Sequence, residues 1–150
     1  MDVRRRSMFD STMDPKAPVP AHHTLATFLW ICAGGAAGTG VRWLVSTWAL
    51  KAFGPRFPWG TLAVNLLGSF LMGALMHAGT ASERLSPTLR LALTTGVLGG
   101  FTTYSAFSWE SLRYLQEGAT GLGVLYVAGT LAGCLLACFL GFLVGRAVWG

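Results

Sequence analysis

Residues 96–110 read GVLGGFTTYSAFSWE, a loop-like composition set inside an apolar run. Gly99 and Gly100 are followed by Thr102 and Thr103, then by Ser105 and Ser108, with Tyr104 and Phe107 three residues apart. A membrane helix has no water to satisfy freed backbone groups. Irregular backbone survives at that depth only inside protein or beside an aqueous cavity. Glycines, hydroxyls and the closing carboxylate of Glu110 therefore predict a broken helix that binds or conducts an ion. The rest of the chain reads as its housing.

The bulk composition agrees with a membrane setting. Hydrophobic residues make up 53% of the 150 and charged residues only 11%, with a mean hydropathy of +0.54, outside the usual range of a soluble domain. Twenty glycines suit close helix–helix approach in lipid. A chain of 15.9 kDa has room for about four spans of roughly 20 residues each, and little else. The net charge of +5 raises nucleic acid as a partner, but the basic residues sit in the tail and between apolar runs, without an aromatic-interleaved basic surface. Membrane flanks account for them, and no nucleic-acid partner is expected. Cys32, Cys134 and Cys138 are odd in number and all fall in apolar runs, which marks them as small buried side chains.

Taken in order, residues 1–24 are polar and aperiodic and read as a disordered tail. Arg4, Arg5 and Arg6 are not followed by the apolar stretch of a secretory signal. His22 and His23, with only His77 elsewhere, do not make a metal site. Residues 25–150 form a four-helix transmembrane domain, with spans at about 25–50, 60–78, 88–115 and 122–149. In the first span Gly34 and Gly38 form a small-residue face. Arg42 lies well inside that span, with Thr39 and Ser46 on the same face, and reads either as a snorkelling side chain or as a charge that draws anions to a pore mouth. In the second span Thr61, Asn65 and Ser69 recur every four residues. The Asn65 carboxamide either donates to an anion or serves an interhelical contact. The last span carries a milder polar stripe of Tyr126, Thr130, Cys134 and Cys138, and two further small-residue faces at Gly129/Gly133 and Gly141/Gly145.

Four spans put both termini on one side. Lys16, Arg84, Arg90 and Arg146 then oppose Lys51, Arg56 and Arg113, a weak bias unless the Arg4–Arg6 cluster counts as well. A weakly biased chain inserts both ways, and two oppositely oriented copies can pair about a two-fold axis in the membrane plane.

With these motifs in view, the chain resembles the small fluoride channels of the Fluc or CrcB family across residues 30–146. The likeness rests on GGAAGTGVRW in the first span, WGTLAVNLLGSFLMG in the second and TTGVLGGFTTYSAFSWE in the third, in that order and spacing. The resemblance implies an all-α, antiparallel dual-topology homodimer in the cytoplasmic membrane, with a third helix broken mid-span and two pores that passively export fluoride. It also implies a structural sodium ion on the dimer axis, held by the main-chain carbonyls of Gly99 and Thr102. The family's paired pore phenylalanines fall at Tyr104 and Phe107, its pore asparagine at Asn65, its vestibule arginine at Arg42 and its pore-end glutamate at Glu110. Its fourth-helix hydroxyl track falls at Tyr126, Thr130 and Cys134, and Ser108 adds a further hydroxyl. Two positions depart from the pattern: Tyr104 stands for the first phenylalanine and Cys134 for a serine or threonine. Either changes conductance or marks a member that works with a differing partner subunit.

The chemistry is consistent with that likeness. Fluoride is strongly hydrated, so a pore must replace lost water with N–H and O–H donors and with the positive edges of aromatic rings. A buried cation would bind it too tightly for release. Two other readings stand beside this one. A proton-coupled small multidrug exporter needs an embedded carboxylate in its first span, where this chain has none, leaving Glu110 as the substitute. A non-transporting scaffold would use the polar stripes only to join helices. No nucleophile–base pair, metal cluster or phosphate loop points to an enzyme.

Overall fold

The computed structural model describes residues 24–81 and 85–149, so residues 1–23 of the tail, with its histidine pair, and residues 82–84 lie outside the described residues. Three long helices dominate: α1 (Thr24–Phe53), α2 (Trp59–Ala81) and α6 (Thr120–Trp149). Between α2 and α6 the chain runs through α3 (Pro87–Leu91), a π-helical segment (Ala92–Leu98), the single turn α4 (Gly99–Phe101) and α5 (Tyr104–Gln116). Stretches within α1, α2 and α6, namely Leu25–Phe53, Trp59–His77 and Thr120–Trp149, are long and apolar enough to cross a membrane. Only 6% of the most apolar window of α1 is buried inside the chain, so its surface needs lipid or another chain to cover it. The protein is a multi-pass membrane protein.

Local signals set the ends of the helices. Gly54 adopts φ +77°, where a side chain would be strained, and Pro55 and Pro58 prevent α1 from continuing. Gly118 adopts φ +72°. Its N–H donates to the Leu115 carbonyl and the Ala119 N–H to the Tyr114 carbonyl, the paired bonds that close a helix through a left-handed residue. This closure confines the last turn to residues 117–119, and α6 starts at Thr120, two residues before the expected start of the fourth span. Pro87 opens α3 behind Ser86, whose hydroxyl accepts from the Leu89 N–H.

Small residues set the packing. A Cβ on Gly38 would collide with the Val97 carbonyl, and one on Gly34 would come within 2.7 Å of the Ala92 carbonyl, so α1 docks its glycine face onto the π-helical segment. Likewise Gly141 abuts the Phe70 carbonyl, Gly73 abuts the Cys138 carbonyl, and a Cβ on Gly145 would lie 2.8 Å from the Ala74 carbonyl, which locks α2 against α6. Gly129, expected on such a face, has open space around it and lies exposed. Its i+4 partner Gly133 faces Leu66, so the two do not act as one contact.

The α1–α2 turn lies at the same end of the bundle as the close of α5 and the start of α6, because the Tyr114 hydroxyl donates to the Arg56 carbonyl at 3.0 Å. Lys51, Arg56 and Arg113 thus share one end, while Arg90 and Arg146 lie towards the other.

Candidate functional site

The break in the third helical region falls at Thr102 and Thr103. Thr102 leaves helical geometry (φ −82°, ψ 160°) and Thr103 is fully extended (φ −150°, ψ 115°). The two glycines just before it stay helical, and Gly100 is there because Gly35 of α1 presses against it; a Cβ would strike the Gly35 carbonyl. The expected broken helix covers residues 96–110, with the Gly99 and Thr102 carbonyls as the implied ion ligands. Within it the backbone leaves helical geometry at Thr102, where two β-branched threonines favour extended backbone.

A side chain from another helix completes the broken backbone. Asn65 of α2 is buried, its Oδ1 accepts from the Thr103 N–H at 2.8 Å, and its Nδ2 donates to the Thr103 carbonyl at 3.0 Å. One carboxamide therefore satisfies both main-chain groups of a buried residue that no helix serves. Asn65 keeps one further N–H. The Thr102 N–H and hydroxyl both donate to the Leu98 carbonyl, and Thr103 then caps α5 by accepting from the Ala106 N–H. Because the Thr103 N–H turns to Asn65, the Gly99 carbonyl loses the partner that helix continuation would supply.

Two turns into α5, Glu110 is held by both oxygens. Thr61 of α2 donates to Oε1 at 2.8 Å and Tyr126 of α6 donates to Oε2 at 2.7 Å. Short bonds to a carboxylate are among the stronger hydrogen bonds, and this trio ties three helices together. Tyr126 is almost fully buried, with Phe107, Tyr114 and Phe57 around its ring at centroid distances of 5.3, 6.1 and 5.4 Å. One turn along α6, the Thr130 hydroxyl is buried and has no hydrogen-bond partner among the described residues. Cys134, a further turn on, is a half-buried free thiol.

The expected site residues thus fall into distinct settings. Asn65, Glu110, Tyr126 and Thr130 are internal polar groups, with Phe107 buried beside them. Tyr104 is 76% exposed at the first turn of α5, its ring 5.6 Å from that of Phe107. Ser108 is exposed and its hydroxyl donates to the Tyr104 carbonyl. The hydroxyl protons of Ser108 and Tyr126, expected to face an ion, are therefore engaged within the chain. Arg42 is half-buried, with no ion pair among the described residues. Thr39, on its face, donates to the Gly100 carbonyl at 3.4 Å, and Ser46 abuts Gly60 of α2. Sequence reasoning did not single out Thr61, Thr103 or Phe57 as site residues. Thr61 had a signal in its spacing with Asn65 and Thr103 lay in the marked stretch 96–110, whereas Phe57 had none, because its role depends on neighbours far away in the chain.

A family model described as CrcB-like protein, Camphor Resistance (CrcB), matches residues 29–142. A curated relative from Anaeromyxobacter sp. (strain K), named fluoride-specific ion channel FluC, is 48% identical over 126 residues, covering 84% of this chain and 100% of its own. Relatives of the same name from Sorangium cellulosum (strain So ce56) and Agrobacterium fabrum (strain C58 / ATCC 33970) are 52% identical over 119 residues and 45% over 116. They cover 79% and 77% of this chain and 94% and 93% of their own lengths.

Proposed function

The chain belongs to the CrcB family, and from that premise we propose that it is a fluoride channel that lets the ion leave a cell passively across its cytoplasmic membrane. The observation that carries this reading is the Thr130 hydroxyl, buried among apolar helices with no hydrogen-bond partner among the described residues. An orphaned buried hydroxyl costs stability, and a passing anion that accepts a hydrogen bond from it offsets that cost. Fluoride, small and strongly hydrated, gains most from such a donor.

Along the pathway we assign, the spare N–H of Asn65 and the hydroxyl of Thr130 donate to the ion, and the Cys134 thiol adds a weaker donor. Phe107 offers a ring edge, which attracts an anion without the tight grip of a full charge. Tyr104 stands at the exposed start of α5, and Ser108 exchanges its bond to the Tyr104 carbonyl for the ion. Glu110, held by Thr61 and Tyr126, fixes the geometry of the pore end, and Arg42 draws anions towards the mouth. The third region crosses the membrane as a fourth, broken span, and two antiparallel copies pair across exposed helix faces, with a differing partner subunit as the variant arrangement.

The residues at the break suit a structural sodium ion. The Gly99 carbonyl is freed by the turn of the Thr103 N–H towards Asn65, and the extended backbone of Thr102 takes its carbonyl off the helix axis. Two such oxygens from each of two chains make an all-oxygen site suited to a hard cation. When bound, the ion would neutralise converging carbonyl dipoles and fasten the two chains.

A proton-coupled exporter is less well supported, because both oxygens of Glu110 are engaged by internal donors. The test is efflux from liposomes containing the purified protein. Rapid uncoupled fluoride release with chloride retained is the expected result. Absence of fluoride release, or release only under a proton gradient, would overturn the assignment.

A further inference from the structure

We propose that the α1–α2 turn is a binding site for an anionic phospholipid headgroup. Lys51, in the last turn of α1, and Arg56, in the turn itself, are both exposed and have no ion pair among the described residues. The acids nearest this end are engaged elsewhere: Glu110 with Thr61 and Tyr126, and Glu117 with Arg113 at 3.6 Å. The N-terminus of the long helix α2 opens in the same turn and adds a partial positive charge.

The second half of the site is aromatic. Trp48, Phe53 and Trp59 are 62%, 57% and 44% exposed, yet they form a continuous platform. Trp48 meets Phe53 edge-on at 5.7 Å, Phe53 meets Trp59 at 5.9 Å, and Trp59 meets Phe57 at 4.6 Å. Exposed tryptophans beside unpaired cations at the end of an apolar helix match the level of lipid headgroups, where an amphipathic ring meets the acyl boundary and a cation meets phosphate. Position in the chain fixes the turn firmly, through the Gly54 conformation and the Tyr114 bond to the Arg56 carbonyl, so the two cations are presented from a rigid base. Phe57 belongs to the same turn and packs on Tyr126, which places the headgroup against the segment that closes one end of the Glu110 cluster.

The test needs no ion flux, so it stands or falls separately from the channel assignment. Tryptophan fluorescence is measured on the full chain in phosphatidylcholine vesicles containing either brominated phosphatidylglycerol or brominated phosphatidylcholine as quencher. The expected result is a preference for the anionic lipid on the order of tenfold. It should vanish in the K51Q/R56Q double variant, persist in R146Q at the other end of the bundle, and resist excess inorganic phosphate. Equal quenching by the two lipids would overturn the proposal. So would a preference that the double variant retains, or one that inorganic phosphate displaces. Both substituted side chains are exposed, and an unchanged gel-filtration profile confirms that the variant is folded.

Discussion

Replacing Asn65 by alanine separates two roles that the sequence left open. In the structure its carboxamide satisfies both the N–H and the carbonyl of Thr103, a residue only 8% exposed. Asn65→Ala leaves both groups buried and unpaired, at about 1–3 kcal/mol each. Local relaxation at the break recovers part of this, so the net loss should be on the order of 2–4 kcal/mol. Asn65→Asp behaves differently. It keeps the acceptor for the Thr103 N–H but sets a carboxylate oxygen against the Thr103 carbonyl, where the wild-type amide donates at 3.0 Å. Both variants should unfold earlier in a detergent titration, and both should lose fluoride flux. If Asn65 served only to line a pore, alanine would slow flux without shifting the unfolding midpoint. An Asn65→Ala protein as stable as wild type would refute the clamp.

Three further substitutions probe the other parts of the site. Thr130→Val removes the orphaned hydroxyl, so stability should hold or rise by about 1 kcal/mol while flux falls about tenfold; unchanged flux removes Thr130 from the pathway. Phe107→Ile deletes a buried ring edge that also rests on Tyr126 at 5.3 Å, and efflux should slow by about tenfold, whereas wild-type rates would exclude the aromatic role. Gly141→Val drives a side chain into the Phe70 carbonyl and should destabilise the α2–α6 pair by about 1–3 kcal/mol, read as an earlier loss of the monodisperse peak on heating.

Much of the helical layout was legible because apolar runs and small-residue spacing report directly on helices in lipid. Gly34, Gly38, Gly141 and Gly145 all meet the close neighbours that their spacing implied. Gly129 does not, since a four-residue spacing defines a face but cannot say what lies opposite it. Helical geometry is interrupted at Thr102 and Thr103, inside the stretch 96–110 that composition marked. Glycine pairs suggest unwinding, yet Gly99 and Gly100 remain helical and the second is used for close approach to Gly35. The π-helical segment just upstream had no sequence signature; it packs against the glycine face of α1 through Ala92 and Val97. Within the site, Thr61, Asn65 and Ser69 announced a polar stripe, but nothing in their spacing could reveal that Asn65 turns to a backbone peptide or that Thr61 turns to Glu110.

The Thr103 peptide also has a bearing on how the protein is made. Its two hydrogen bonds come from a side chain 38 residues earlier in the chain. A segment with an unpaired peptide enters hydrocarbon at a cost of several kcal/mol, roughly the value of one unsatisfied backbone group. Synthesis runs from the N-terminus, so on the proposed four-span topology α2 and its carboxamide reach the membrane before residues 102–103. The order of the chain delivers the clamp before the peptide that needs it.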